Sequence, residues 1–188
     1  MRRTLQLGLF LALGLLNGCS SPKIITNVDP NADFGRYTTY GFTDPLGADS
    51  ADYQSLVSQF LKRAVAHELE VRGYTTADAP DLLVNFYLHS QDKLSTSTQP
   101  SAYYGYRGYG GYGTWGGYGG YETTVTQYTE GTLNVDLVDS RRMQLVWEGV
   151  IIGQITDKMR RELEKSIDES VARLFEKFPF TAPVAAAE

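Results

Sequence analysis

The sequence predicts an α+β domain in which two amphipathic helices pack on one face of a mixed, mostly antiparallel sheet. Two segments carry apolar residues at three- and four-residue spacing, which is typical of helices with one buried face. The strongest strand-forming segments alternate apolar and polar residues, which gives the sheet one packed and one solvated face. A two-layer arrangement satisfies both patterns.

The predicted strands follow this alternation. Residues 36–42 are β-branched and aromatic, and residues 82–88 place every second side chain on one face. Residues 123–138 are the next predicted strand, in which 132–137 alternate, and a turn at 139–143 leads into a returning strand that starts at Leu145. The last two strands are therefore an antiparallel hairpin, whereas the first two enclose a helix in a β-α-β unit.

The two helices have recognisable ends. The first is expected over about residues 52–72, and Gly73 supplies the left-handed conformation that ends it. The second is expected over about residues 158–178, with Thr156 as the N-cap and Pro179 as the stop.

The N-terminus has the layout of a secretory signal. Two arginines precede an apolar run over residues 5–16, which is too short to span a bilayer. The sequence Leu-Asn-Gly-Cys at 16–19 then resembles a bacterial lipobox. Residues 1–18 are therefore expected to be a signal peptide, and Cys19 is expected to carry the lipid chains that hold the protein on a membrane.

Charge and cysteine content narrow the class of protein. Removing the two arginines of the signal changes the formal charge from −5 to −7, an acidic balance that argues against nucleic-acid binding. Cys19 is the only cysteine, so no disulfide framework is possible. By resemblance to enterobacterial lipoproteins, Ser20 rather than Asp after the cysteine favours the outer membrane, with the domain in the periplasm.

The mature chain is expected to hold a tether, one domain and a tail. Residues 19–33 are the lipidated N-terminus and tether, within which 24–28 can pair with a sheet edge. One α+β domain occupies 34–180, and 181–188 are expected to be a disordered tail. Residues 90–122 are expected to be a long mobile loop, because glycine and small polar residues replace any apolar periodicity.

The most unusual segment, residues 103–121, contains nine Gly, seven Tyr and one Trp. Tyrosine rings stack on sugars and their hydroxyls form hydrogen bonds, so an envelope glycan or protein is the expected kind of partner. The candidate contact residues are Tyr103, Tyr104, Tyr106, Tyr109, Tyr112, Trp115, Tyr118 and Tyr121. The same composition is also typical of a low-complexity insert with no fixed partner.

Several stretches resemble one family. They are 34–42 (FGRYTTYGF), 70–74 (EVRGY), 80–86 (PDLLVNF), 131–139 (GTLNVDLVD), 145–149 (LVWEG) and 175–179 (FEKFP). Over residues 24–180 the chain is similar to domain of unknown function 4136, an uncharacterised family of bacterial envelope lipoproteins. The resemblance implies an envelope location and the fold above, and it supplies no catalytic residues. Arg142-Met143 departs from the family, where a hairpin glycine is common.

The sequence predicts no catalytic, metal or cofactor site. The two histidines, His67 and His89, have no second ligand at metal-binding spacing. No carboxylate pair shows the opposed environments that acid–base catalysis needs. The leading hypothesis is a non-catalytic outer-membrane lipoprotein that binds or assembles envelope components. The alternatives are a hydrolase acting on envelope polymers and a carrier of a small ligand.

Overall fold

The structure is a computed structural model that describes residues 21–49, 54–100 and 121–183. Within these residues, six strands and three α-helices follow one another. They are β1 (Lys23–Val28), β2 (Thr39–Phe42), α1 (Leu56–Glu70), β3 (Thr75–Thr76), β4 (Leu82–Pro100), β5 (Tyr121–Asp139), β6 (Gln144–Gln154), α2 (Asp157–Arg161) and α3 (Leu163–Phe175). None of the described helices is long and apolar enough to cross a membrane.

The strands form one mixed sheet in the order β1-β6-β5-β4-β2-β3. β2 runs parallel to β3 and to β4, and the other neighbours are antiparallel. The β-α-β unit and the hairpin predicted from the sequence are both present, and the α+β class is confirmed. β2 begins at Thr39 rather than at residue 36, because Phe34–Arg36 form one turn of 3-10 helix.

The helices cover one face of the sheet and enclose the core. Every second residue of β4 from Leu82 to Phe86 is buried, as are the apolar stripes of α1 and α3. Trp147 lies at the centre, with its ring 5.5 Å from that of Phe175 and 5.2 Å from that of Phe178. Each large side chain buried in this way stabilises the fold by roughly 1.5–3 kcal/mol before the loss of entropy is subtracted.

Both helices lie where the sequence predicts but are shorter, since α1 begins at Leu56 rather than at about residue 52 and α3 ends at Phe175 rather than at about residue 178. Ser55 caps α1 by accepting from the N–H of Ser58, and Gly73 follows it with φ 88°. The prediction of one continuous helix over 158–178 is wrong, because the backbone leaves the helical conformation at Glu162 and separates α2 from α3. α2 has no buried residue, so packing does not align it with α3.

The prediction of a mobile loop over residues 90–122 is wrong at both ends. β4 continues to Pro100 and β5 begins at Tyr121, and the two pair residue by residue from Leu82↔Asp139 to Pro100↔Tyr121. Most residues of these outer segments are polar, and apolar side chains are too few to show the alternation that identifies a strand, yet Thr and Tyr favour extended backbone. Residues 101–120 lie outside the described part of the chain.

Parts of the expected tether and tail belong to the sheet and the core. Within 19–33, β1 pairs with β6 along its whole length, as its apolar residues predict. The prediction that the tail is disordered from residue 181 onward is wrong at its start, because the N–H of Ala182 donates to the carbonyl of Arg72 at 2.9 Å. The last five residues lie outside the described chain.

Candidate functional site

The outer halves of β4 and β5 form a two-stranded extension of the sheet. β6 pairs with β5 only as far as Glu130↔Gln154, and β2 pairs with β4 only over 82–84. We call residues 91–100 and 121–130 the arm. At its base Glu130 still pairs with Gln154 and the carbonyl of Thr129 accepts from the N–H of Ile155, and beyond that point the two strands have only each other as neighbours within the described chain. At about 3.4 Å per residue, the arm is roughly 34 Å long.

One side of the arm is apolar. Leu94 is 71% exposed, Val125 59% and Tyr121 75%. The pairings Leu94↔Gln127 and Thr96↔Val125 place these side chains on the same side, because residues alternate along each strand. This apolar side holds three large side chains that nothing in the described chain covers.

The opposite side of the arm carries charge. Lys93 forms an ion pair with Glu130, and Glu122 lies nearer the tip. The apolar side has a single charged residue, Asp92 near the base, which accepts a hydrogen bond of 2.8 Å from the hydroxyl of Thr129. The arm is therefore an amphipathic ribbon with one apolar and one charged side.

The N-terminal tether and the arm leave the same end of the sheet. Lys23, the first residue of β1, pairs with Ile152 of β6. Ile152 pairs in turn with Thr132 of β5, and Thr132 pairs with His89 of β4, at the base of the arm. β1 then runs away from the arm toward the β5–β6 turn. Only three residues separate Lys23 from Cys19, so the expected lipid site is close in sequence to the arm's end of the sheet.

A polar cluster closes the opposite end of the sheet. Asp139 accepts hydrogen bonds from the backbone N–H groups of Arg141 and Arg142, at 3.0 and 2.8 Å, and from the hydroxyl of Tyr37 at 2.9 Å. The guanidinium of Arg142 donates to the same carboxylate at 2.9 Å. These bonds explain Asp139 as the residue that forms the turn, which the sequence predicted.

The pKa values of Asp139 and Asp81 are typical of carboxylates that accept hydrogen bonds from their own chain. Burial alone raises the pKa of Asp139, but hydrogen bonds from Arg142, Tyr37 and Arg141 outweigh it and lower the pKa to about 2. Asp81 accepts from the backbone and hydroxyl groups of Thr38 and Thr39, and these bonds lower its pKa against the effect of burial. The cleft beside them measures about 120 Å³.

A carboxylate pair lies on the sheet face that carries no helices. Asp136 of β5 and Glu148 of β6 are directly opposite each other in the ladder. Burial, and secondly the charge of Glu148, raise the pKa of Asp136 to about 6. Its Oδ1 is buried without a hydrogen-bond partner, whereas Glu148 accepts from the side-chain amide of Asn27 at 2.8 Å. The two carboxyl groups therefore have different surroundings, which the sequence did not reveal.

The structure places few of the residues that the sequence singled out. Cys19 and the predicted signal peptide over 1–18 lie outside the described chain, as do the candidate contacts Tyr103, Tyr104, Tyr106, Tyr109, Tyr112, Trp115 and Tyr118. Tyr121 is the one candidate contact that is described. His67 on α1 and His89 on β4 are both exposed. Among the described residues, no group of three His, Cys, Asp or Glu side chains could hold a metal ion.

Sequence reasoning missed the apolar side of the arm. The sequence predicts a loop at Leu94 and a strand from Thr123 that includes Val125, so it does not place these two side chains beside each other. The recurrence of Thr, Val and Tyr over 121–130, which favours a strand, was the available signal.

Comparison with solved structures supports the fold. The chain is similar to a PDZ domain protein from Parabacteroides distasonis, with a TM-score of 0.54 and 13% identity over 86% of this chain and 37% of that chain. This chain thus spans little more than a third of that protein's length. It is also similar to the PelC dodecamer from Paraburkholderia phytofirmans, with a TM-score of 0.45 and 10% identity over 86% and 99% of the two chains. At 13% identity the first likeness shows the fold alone. The second, with its TM-score of 0.45, adds no support.

Comparison of sequences identifies the family. No curated protein matches the chain. A family model described as "Domain of unknown function (DUF4136)" matches residues 24–180. The match begins inside β1 and ends after α3, so it includes all the strands and helices described above. The chain belongs to the DUF4136 family.

Proposed function

We propose that this chain is a non-catalytic lipoprotein of the outer membrane that binds or assembles envelope components in the periplasm. Lipid on Cys19 is the anchor, and the arm, with the Gly/Tyr tract that joins its strands, is the binding element. The observation that supports this most is the arm itself, an amphipathic ribbon. The rest of the described domain, which we call the body, leaves the arm uncovered. Exposed apolar groups of this kind are typical of interaction surfaces.

The contrast with the polar cluster supports the same proposal. Tyr37, Asp81 and Asp139 bond to groups of the chain itself, so their role is to hold the turn and the start of β2. The three exposed apolar side chains of the arm have no comparable partners among the described residues. The arm is therefore the better candidate for contact with another molecule.

The anchor is tested by cell fractionation. We expect the unmodified chain in the outer-membrane fraction and Cys19→Ala in the soluble fraction, because the thioether to diacylglycerol cannot form without the thiol. Ser21→Ala, two residues along the chain, is the matched control and should remain on the membrane. Retention of Cys19→Ala by washed membranes would contradict the proposal.

The binding element is tested by crosslinking in intact cells. Replacing residues 101–120 with a short turn leaves every described strand in place, so the body should fold and the anchor should function. We expect this variant to lose the envelope components that crosslink to the unmodified chain. An unchanged set of crosslinked components would remove the tract from the binding element.

One observation favours a second candidate, the hydrolase. Asp136 has a pKa of about 6 and can hold a proton near neutral pH beside Glu148, which is the division of roles that two-carboxylate hydrolysis uses. Asp136→Asn should abolish any hydrolysis of purified peptidoglycan by the chain. Equal activity of both forms, or none in either, counts against this candidate.

A further inference from the structure

We propose that the apolar side of the arm lies against the lipid surface to which Cys19 is anchored. The inference rests on the proposed function, because it takes lipidated Cys19 as the point of attachment. It names the bilayer itself as a partner of Leu94, Val125 and Tyr121.

The length of the tether restricts where the arm can be. From Cys19 to Lys23 the chain extends by four residues, or at most about 14 Å. From Thr132, which is level with Lys23, β5 extends eleven residues to Tyr121, or about 37 Å. If the arm points toward the membrane, the tether is too short to keep its outer part clear of the lipid.

The opposite orientation is excluded by the same lengths. An arm that points away from the membrane puts Lys23 at the far end of β1, and the tether would have to run back along all six residues of that strand. That distance is about 20 Å, which exceeds the reach of the tether. The anchor therefore leaves the arm either directed at the bilayer or running along it.

The chemistry of the arm favours contact at the level of the lipid head groups. Tyr is enriched at membrane interfaces, and Leu94 and Val125 supply aliphatic surface on the same side as Tyr121. A two-stranded ribbon keeps unpaired backbone groups along both edges, so it cannot enter the hydrocarbon. In the interface, water and head groups can bond to those edges while the apolar side chains are buried.

The charges of the arm specify the kind of lipid surface. Lys93 is the arm's one positive charge and Asp92, Glu122 and Glu130 are its negative charges, so the arm has a net charge of −2. Anionic lipid cannot attract such a ribbon. The contact therefore fits a zwitterionic surface, and it should be insensitive to salt.

The test uses the full lipidated chain in vesicles of phosphatidylcholine and phosphatidylethanolamine. The lipidated Cys19 has no free thiol, so a single introduced cysteine takes up an environment-sensitive fluorophore. Val125→Cys places the fluorophore on the apolar side, and Thr124→Cys, the adjacent residue, places it on the charged side. We expect spin-labelled lipid to quench the fluorophore at 125 several-fold more than at 124, with little change between low and high salt.

The other outcomes separate the two proposals. A chain that stays on the vesicles but shows equal quenching at both positions, or stronger quenching at 124, overturns the contact of the arm and leaves the anchor intact. A chain that does not remain on the vesicles overturns the anchor and this inference together. Glu169→Cys, at an exposed position on α3, provides the value for a label that faces water.

Discussion

The inner and outer halves of β4 and β5 belong to the same two strands but have different surroundings. The ladder between them has no break in register from Leu82↔Asp139 to Pro100↔Tyr121. In the inner halves, alternate side chains are buried from Leu82 to Phe86 on β4 and from Leu133 to Asp139 on β5. In the arm the same alternation continues, and the side chains that would face a core are exposed. One strand pair therefore contributes both to the core and to the exposed surface that we propose as the binding element.

This difference has a thermodynamic consequence. The inner halves are flanked by β6 and β2 and covered by α1 and α3, so the loss of a side chain there leaves a cavity. An isolated two-stranded ribbon is marginally stable in water, and the arm gains little from each of its side chains. We therefore expect stability to be concentrated in the rest of the domain and substitutions in the arm to change it little.

The largest expected effect compares matched leucines in the two regions. Leu137→Ala, in the buried part of β5, should lower the free energy of unfolding by about 2–5 kcal/mol. Leu94→Ala, in the arm, should change it by less than about 0.5 kcal/mol, because Leu94 is already exposed. Urea unfolding of both variants measures the difference, and equal losses would contradict the division of the molecule into body and arm.

The second prediction concerns the carboxylate that holds the turn at the inner end of the strands. Asp139→Asn should destabilise the body by about 1–3 kcal/mol at neutral pH, because the turn loses charge-assisted hydrogen bonds. The folded pKa of about 2 lies below the ordinary value of 3.8, so this contribution is present above pH 4 and is lost as the pH falls toward 2. The free energy of unfolding should therefore differ less between Asp139→Asn and the unmodified chain at pH 3 than at pH 7.

The arm provides the control for Asp139. Glu122→Gln removes a carboxylate from an exposed position on the arm and should leave stability within about 0.5 kcal/mol of the unmodified chain at either pH. A loss as large as that of Asp139→Asn would show that the arm contributes to the stability of the body.

The third prediction concerns Asp136, whose removal should raise the free energy of unfolding at neutral pH, whereas the removal of Asp139 should lower it. The folded pKa of Asp136, about 6, is raised above its ordinary 3.8, so its contribution is present below pH 4 and is lost as the pH rises through 6. Asp136→Asn should therefore stabilise the chain by about 1 kcal/mol at pH 7, after allowance for partial exposure of the site. Thermal unfolding at pH 4 and pH 7 measures this, and destabilisation at pH 7 would contradict it.

The smallest effect is expected at the turn between β5 and β6. Met143 has φ 50°, in the left-handed region that favours glycine. Met143→Gly should stabilise the chain by about 0.5 kcal/mol, because the relief of strain exceeds the added entropy of the unfolded chain. Arg141→Gly, where no such conformation is required, should be destabilising in the same assay.

The sequence predicts the body better than the arm, and the reason is physical. Burial imposes the alternation that identifies residues 82–88 and 132–137 as strands, and Gly73 marks the end of the first helix, whereas the cap at Ser55 was not predicted. The arm has no buried side, so its alternation rests on a few apolar residues. Residues 90–100 therefore resemble a loop in sequence, and only the part of the arm from Thr123 onward is predicted as a strand. Asp136 and Glu148 become a pair only through the register of β5 against β6, which a single sequence does not contain.

The turn at Arg142-Met143 is a second feature that residue types alone do not predict. The sequence indicates that the usual hairpin glycine is missing. The structure shows that Met143 adopts the glycine-like conformation and that Arg142 instead bonds to Asp139. The compensation is a three-dimensional contact and could not be inferred from residue type.

We propose that lipid on Cys19 holds the end of the sheet from which the arm extends. The decisive measurement is mass spectrometry of the N-terminal peptide, from chain purified out of the outer membrane. We expect a peptide that begins at Cys19 and carries a diacylglyceryl thioether and an N-acyl chain. A peptide that retains residues 1–18, or one with an unmodified thiol at Cys19, would contradict it.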